Sequence, residues 1–212
     1  NRWQSAKTQL FGIVAPFLEN PCYNFAFSGQ DGYFFMSATT YVAVDVETTG
    51  LDPKTDSIIE VAAITFRGND ILDEFSSLVN PHRAVPPFIT QLTGITQAMV
   101  DEAPTMFTLR SRLRPTIGNH VLVGHNVGFD LGFLQAERLG TGNHRVDTVT
   151  LASILFPDAG RFNLESLVRY LGLPDPNGGQ THRALDDAEQ TVELFLALRE
   201  RAMQMQLSQI DE

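Results

Sequence analysis

Two carboxylates stand two residues apart near the end of an apolar segment, Val42-Ala43-Val44-Asp45-Val46-Glu47. Alternate side chains of a β-strand point to the same side, so Asp45 and Glu47 would share one face while the valines fill the other. Adjacent carboxylates repel each other unless a positive group lies between them. Paired oxygen ligands suit Mg²⁺ or Mn²⁺ better than zinc. The segment alone indicates either a metal site or an edge strand with a solvated acidic face.

A third carboxylate, Asp130, lies within a predicted helix. Phe133 and Leu134 follow it by three and four residues, so all three side chains share one helical face. A charge on an inward, apolar stripe is costly without a partner, and a metal ion would supply one. The alternative is an acid in the first turn of a helix, where the macrodipole favours negative charge.

A histidine and a fourth carboxylate occur near the predicted last helix, in Thr181-His182-Arg183-Ala184-Leu185-Asp186-Asp187. His182 follows a Gly-Gly pair, so a loop can aim its ring. Histidine readily accepts a proton near neutral pH, which suits a general base. The alternatives are a surface histidine, and acids that only compensate the dipole of the helix.

Taken in order, VAVDVETTG, GHNVGFDLGFL and HRALDD resemble the three motifs of the DnaQ-like, DEDDh-type 3′→5′ exonucleases, over about residues 41–200. The resemblance implies an α/β, RNase H-like fold. Its mixed five-stranded sheet has a three-strand antiparallel meander plus parallel strands, and helices flank it. Such a domain stands alone, serves as a proofreading subunit, or belongs to a longer DinG-type helicase or PolC-type polymerase.

The resemblance also implies roles for individual residues. Four carboxylates would hold two divalent cations, Mg²⁺ or Mn²⁺: Asp45, Glu47, Asp130 and Asp187. His182 would be the general base, and its spacing selects Asp187 rather than Asp186 as the ligand. Asp45 would bridge both ions, with Glu47 and Asp187 on the side of the nucleophile and Asp130 on the side of the leaving group. Two such ions stabilise both oxygens of an in-line phosphoryl displacement.

Candidate substrate contacts surround these residues. The loop after the first strand would receive the 3′ nucleotide through Thr48, Thr49, Gly50 and Leu51. Phe129 would stack on a base or simply pack in the core. Asn126 is a further candidate, although with His125 it would brace the site instead. Three arginines are candidates for contacts with the phosphate backbone: Arg138, Arg161 and Arg183.

The function that the resemblance implies is metal-dependent hydrolysis of DNA from single-stranded or frayed 3′ ends, releasing nucleoside 5′-monophosphates. One alternative is an exoribonuclease or oligonucleotide-trimming enzyme on the same fold. A second alternative is a non-catalytic nucleic-acid-binding module, which the intact set of four acids and one histidine disfavours. Expected partners include a polymerase, a sliding clamp or a fused helicase domain. The expected location is the cytoplasm of a bacterial-type cell.

The elements that must carry these residues follow from hydrophobic periodicity and turn residues. Strands are predicted over 41–46, 57–66, 71–79 and 121–124, with another brief strand just before the fourth helix. Helices are predicted over 86–92, 105–113, 127–139, 146–156, 163–171 and 184–203. Asn163 is the predicted N-cap of one helix and Gly172 its end.

Composition limits the class of protein. The chain has 212 residues, of which 43% are hydrophobic and 19% charged, enough for one well-cored domain. The single Cys22 excludes an internal disulfide framework and a CxxC metal site. No apolar run approaches the ~18–20 residues of a membrane span, so no membrane partner is expected. The net charge of −10 argues against nucleic acid, but bound divalent cations would offset part of it.

The aromatic residues are distributed unevenly, and this predicts a domain boundary. Residues 1–36 contain nine of the 20 aromatic residues, carry no net charge and precede the first strong strand. They are interpreted as an extension without a catalytic role, native or added. A secretory signal or a packed N-terminal element are the alternatives. The predicted organisation is an extension at 1–36, an exonuclease domain at 37–203, and a polar tail or linker at 204–212.

Overall fold

A computed structural model describes residues 39–175 and 182–207, with side chains as far as residue 205. The predicted extension at 1–36, most of the Pro/Gly loop before His182 and the last residues of the predicted tail lie outside the described residues. Tertiary contacts separate the chain into two units between Thr40 and Tyr41, and the fold described here is that of the second.

A five-stranded mixed sheet forms the centre of this fold. Its strands are β1 (Thr40–Thr48), β2 (Ile58–Arg67), β3 (Asp70–Leu78), β4 (Val121–Gly124) and β5 (Arg145–Asp147). Their spatial order is β3-β2-β1-β4-β5. The β2–β3 pair is antiparallel, whereas β4 is parallel to both β1 and β5. The predicted mixed sheet of the RNase H-like type is therefore confirmed.

Seven α-helices surround the sheet in the part of the chain that the structure describes. They are α1 (Pro87–Thr93), α2 (Gln97–Asp101), α3 (Met106–Ile117), α4 (Gly128–Ala136), α5 (Thr148–Leu155), α6 (Leu164–Leu171) and α7 (Ala184–Leu207). The short helix α2 was not predicted, and α3 continues four residues beyond its predicted end. No helix among those described is both long enough and apolar enough to cross a lipid bilayer.

Side-chain caps define several helix ends. Asn163 accepts a hydrogen bond from the Ser166 N–H, as expected of an N-cap residue, and Gly172 ends the same helix at φ 64°. Thr105 caps α3 and Asp147 caps α5 in the same way. Asp147, which follows directly from β5, thus serves to begin a helix.

The two faces of the sheet have different partners. On one face, Val42, Val44 and Val46 of β1 pack into the main hydrophobic core with residues of α3 and α4. On the other face, Phe195 of α7 contacts Tyr41 and Phe66, with ring centroids 4.9 and 5.7 Å away. Because side chains alternate along a strand, the residues of β1 that share a face with Tyr41 point toward α7. Asp45 and Glu47 are among them.

Candidate active site

Three carboxylates, two from β1 and one from α7, meet beside the C-terminal end of β1. Asp45 and Glu47 lie near that end, and Asp187 lies in the first turn of α7. One carboxylate oxygen from each of the three lies within 4.8 Å of those of the other two. Oxygen ligands grouped in this way suit a hard divalent cation. The structure thus brings together three of the four predicted ligands.

Burial and mutual repulsion act on these carboxylates together. Burial raises the pKa of Asp45 well above its ordinary value, and repulsion from Asp130 and Asp187 adds to the rise. Burial also raises the pKa of Glu47 to about 7. The pKa of Asp187 is raised mainly by burial, although the hydrogen bond from His182 opposes the rise. A bound cation would favour the ionised forms and relieve this repulsion, so the donor set fits a divalent metal.

Asp130 approaches the same place from α4. Its side chain is buried, and Oδ1 accepts a hydrogen bond of 3.0 Å from the Val46 N–H on β1. Burial raises the pKa of Asp130 to about 8, while that hydrogen bond lowers it. The helix therefore presents its first-turn acid to the end of β1, where Asp130 lines one pocket with the other three carboxylates.

His182 lies on the wall of this pocket. Its Nδ1 is 3.1 Å from Asp187 Oδ2, and its side chain is 59% exposed. The backbone N–H of His182 is 3.4 Å from the carbonyl oxygen of Leu92 in α1. The imidazole is therefore held by a carboxylate on one side while its ring remains open to the pocket.

The pocket has a volume of about 360 Å³ and an apolar wall that the sequence predicted only in part. Leu51 is 84% exposed, and Phe88 and Leu92 on α1 are 63% and 50% exposed. Phe88 and Leu92 are four residues apart, so they share one helical face. Exposed apolar side chains beside an acidic cluster indicate a ligand surface. Their i, i+4 spacing was visible in the sequence, but not the fact that they lack cover.

The loop after β1 is held by its own hydrogen bonds. Thr48 Oγ1 donates to the Gly50 carbonyl at 2.6 Å, and both residues line the pocket. Thr49 is buried, and its hydroxyl accepts a hydrogen bond of 3.0 Å from the Ser57 N–H. Thr49 does not line this pocket, so its position indicates that it braces the loop.

Asn126 and Phe129 both line the pocket, as predicted candidates for substrate contact. Asn126 has a φ of 62°, and its N–H donates to Asp147 Oδ1 at 2.9 Å. Phe129 is partly buried and packs against Phe133, with ring centroids 5.2 Å apart. Phe129 therefore packs on the core while also forming part of the pocket wall.

Arg183, a predicted candidate for a phosphate contact, has a protein partner in the structure. Its guanidinium forms an ion pair with Glu60 of β2, at 2.6 Å from Nη2 to Oε1. The phosphate contact stays a prediction. Sequence reasoning missed Glu60, although an acid inside the otherwise apolar run Ile58–Ile64 was a usable signal.

Comparison with known proteins finds a family model and sequence relatives. The family model described as Exonuclease matches residues 42–195. The PolC-type DNA polymerase III of Clostridium perfringens is 40% identical over 159 residues, which are 73% of this chain and 11% of that protein. The corresponding Bacillus subtilis protein is 37% identical over 179 residues, 82% of this chain and 12% of that one.

Solved structures show the same architecture. Exonuclease X in complex with 5′ overhanging duplex DNA has a TM-score of 0.64 at 27% identity, covering 76% of this chain and 91% of that chain. Escherichia coli Exonuclease I in complex with a dA16 oligonucleotide has a TM-score of 0.64 at 21% identity, covering 77% and 41%. The second similarity is one of fold alone.

The fold and the acidic pocket define a nuclease with an RNase H-like architecture. The chain belongs to the exonuclease family, as a 3′→5′ exonuclease of the DnaQ-like, DEDDh type. The family depends on divalent metal ions, and the acidic cluster could bind one. The chain spans about 12% of the length of its PolC-type relatives.

Proposed function

We propose that this domain hydrolyses DNA stepwise from single-stranded or frayed 3′ ends and releases nucleoside 5′-monophosphates. The observation that carries the proposal is a single pocket that combines four carboxylates, a histidine and an exposed apolar wall. The DNA bound in the solved structure of Exonuclease X supports DNA as the substrate.

The carboxylates of the pocket would hold two divalent cations, Mg²⁺ or Mn²⁺, which supply Lewis acidity and charge neutralisation for phosphoryl displacement. Asp45 is close enough to the other three acids for repulsion from Asp130, Asp187 and Glu47 to raise its pKa. Asp130, on α4, would complete the ligand set from the opposite side of β1. The predicted ligands are retained in this proposal.

His182 would act as the general base for the attacking water. Its Nδ1 faces Asp187 Oδ2 at 3.1 Å, so a proton on Nδ1 is held by that carboxylate. The neutral tautomer with this proton leaves Nε2 free to accept another from water. Asp187 therefore orients the ring in addition to offering an oxygen to the metal. Both uses place the histidine just before α7 and the aspartate in the first turn of that helix.

The apolar wall would receive the terminal base. Aromatic and aliphatic faces bind any base without reading its hydrogen-bonding edge. Phe88, Leu92 and Leu51 offer such faces directly beside the acidic cluster, and Phe129 adds a partly exposed ring. A base can reach this wall only when it is unpaired, which favours single-stranded or frayed ends. Thr48 and Gly50 would contact the sugar of the same nucleotide.

The wider context follows from the relatives. The PolC-type DNA polymerases among these relatives support a polymerase as the partner of this domain and proofreading as its task. A sliding clamp, a fused helicase domain and a cytoplasmic location remain predictions. So do the boundaries at residues 36 and 203, although helix α7 continues to Leu207.

A labelled-strand assay tests the proposal. A 5′-labelled single strand should shorten stepwise in Mg²⁺ or Mn²⁺, yield nucleoside 5′-monophosphates, and stay intact in EDTA. Asp45→Asn should abolish cleavage, whereas Asp73→Asn, in an exposed ion pair on β3, should retain it. Matched RNA and blunt duplex strands measure the preference for DNA ends. Full cleavage in EDTA, or by the Asp45 variant, would contradict the mechanism, and faster cleavage of RNA would overturn the substrate.

A further inference from the structure

Glu60 is a buried carboxylate on the face of the sheet that α7 covers. Its side chain is 2% exposed, and it occupies β2 next to the strand that carries Asp45 and Glu47. Glu60 and Phe66 are six positions apart on β2, so their side chains point to the same face of the sheet. Phe66 contacts Phe195 of α7, and Glu60 therefore points toward that helix. A buried ion is expensive unless hydrogen bonds and an opposite charge compensate it.

Both oxygens of Glu60 are fully engaged at the beginning of α7. Arg183 Nε lies 3.2 and 3.1 Å from the two oxygens, and Nη2 lies 2.6 Å from Oε1. The backbone N–H of Ala184 donates to Oε2 at 3.0 Å. The first N–H groups of a helix lack partners within the helix, and an anion there also favours the dipole. Glu60 thus caps α7 from another element of the fold.

The residues next to this cap line the acidic pocket. His182 directly precedes Arg183, and the Asp187 N–H donates to the Arg183 carbonyl at 2.9 Å. The peptide that Glu60 holds therefore carries the base on one side and a metal ligand one turn later. The electrostatic effect of Glu60 reaches the cluster as well, because it raises the pKa of Glu47 while Arg183 lowers it.

We propose that Glu60 and Arg183 form a positioning pair, which fixes His182 and Asp187 relative to the carboxylates of β1. The helix packs on this face of the sheet through several buried side chains, including the aromatic contact at Phe195, and its first residue, Ala184, is bonded directly to Glu60. At 1.5 Å of rise per residue, the aromatic contact is about 12 Å from Asp187, whereas the attachment to Glu60 is within one turn of it. The ion pair holds the functional end. The inference rests on the proposed function, because it concerns the same base and ligand.

Three variants separate positioning from stability. Arg183→Met leaves Glu60 buried and unpaired, which destabilises the protein. The double variant Glu60→Met with Arg183→Met removes both charges, a change that is often neutral or stabilising for a buried pair. Arg183→Lys keeps the charge but loses the two-pronged geometry. Arg112→Met is the control, since Arg112 makes an exposed ion pair with Asp73, in which Nη2 contacts both carboxylate oxygens.

Each variant is measured by thermal unfolding, Mn²⁺ affinity from calorimetry, the His182 imidazole NMR signal without metal, and kcat and KM on single-stranded DNA. The double variant should unfold near the temperature of the parent. Its kcat and Mn²⁺ affinity should nevertheless fall about 10- to 100-fold, as for other outer-shell partners of metal ligands. The KM of the double variant should be unchanged, and its His182 signal should shift. The kcat and Mn²⁺ affinity of Arg183→Lys should lie between those of the double variant and the parent.

The result that would overturn the positioning role is well defined. A double variant with the stability, kcat, Mn²⁺ affinity and His182 signal of the parent would overturn the positioning role and leave the ion pair a purely structural contact. Failure of the parent itself to cleave DNA in Mn²⁺ would overturn the proposed function instead. The NMR signal and the Mn²⁺ affinity would still test positioning in that case. Arg112→Met should match the parent in all four measurements.

Discussion

Glu47→Gln should stabilise the metal-free protein at neutral and alkaline pH while abolishing its activity. The folded protein raises the pKa of Glu47 from its ordinary 4.5 to about 7, mainly by burial and then by repulsion from Asp187. The folded state therefore binds this proton more tightly than the unfolded state does. At about 1.4 kcal/mol per unit of pKa, the ionised side chain costs the fold about 3 kcal/mol. The cost is absent below pH 4.5 and complete above pH 7.

Urea unfolding in EDTA at several pH values between 4 and 8 measures this effect. The unfolding free energy of the parent should fall through that window by as much as about 3 kcal/mol from Glu47 alone. Glutamine keeps the shape without the charge, so the variant should lose this part of the pH dependence. In thermal unfolding at pH 8, the midpoint temperature of the variant should exceed that of the parent by roughly 6–12 °C, given about 2–4 °C per kcal/mol for a chain of this size.

Two comparisons make the result decisive. Glu102→Gln, at an exposed position after α2, should leave both the stability and its pH dependence unchanged. Added Mn²⁺ should stabilise the parent and narrow its difference from the Glu47 variant, because a ligand of the folded state adds free energy by mass action. A Glu47→Gln protein that is less stable than the parent at pH 8 in EDTA would refute the electrostatic reasoning.

The other predictions concern the base, the substrate wall and the core. His182→Ala should lower kcat by about 10²–10⁴, measured in steady-state assays, and a negligible loss would exclude a general base. Phe88→Ala should weaken single-stranded DNA binding by about 1–3 kcal/mol in EDTA, measured by fluorescence anisotropy, and unchanged binding would remove the base from this wall. Leu113→Ala, at a fully buried position, should cost about 2–5 kcal/mol in urea unfolding; a smaller loss would mean that the core collapses around the cavity.

Much of the fold could be predicted because hydrophobic periodicity and turn or cap residues indicated the same strands and helices. The alternation of valines and acids around Asp45 predicted both the strand and its two faces, since a strand repeats every two residues. The cap at Asn163 and the end at Gly172 depend on nearby backbone groups only. Helix α2 was missed because five residues hold too little periodicity. The end of α3 was placed too early because Pro115 lies inside the last turns of that helix.

The residues of the site could be predicted from the sequence, but its geometry could not. The identities and order of Asp45, Asp130, His182 and Asp187 are properties of the sequence, and they sufficed to indicate the family and its chemistry. Their distances are not, because they depend on how α4 and α7 pack on the sheet. Phe88 and Leu92 of the apolar wall were missed for the same reason, because the exposure of a side chain depends on what covers it in the fold.

The sequence by itself determined which residues are available for chemistry, where the strands and most helices lie, and which family the chain belongs to. Only the tertiary structure decided that Arg183 binds Glu60, a residue 123 positions away. Local patterns report the period and the caps of single elements. A contact between β2 and the beginning of α7 depends on long-range packing, in which a buried carboxylate takes the nearest cation and N–H groups that satisfy it.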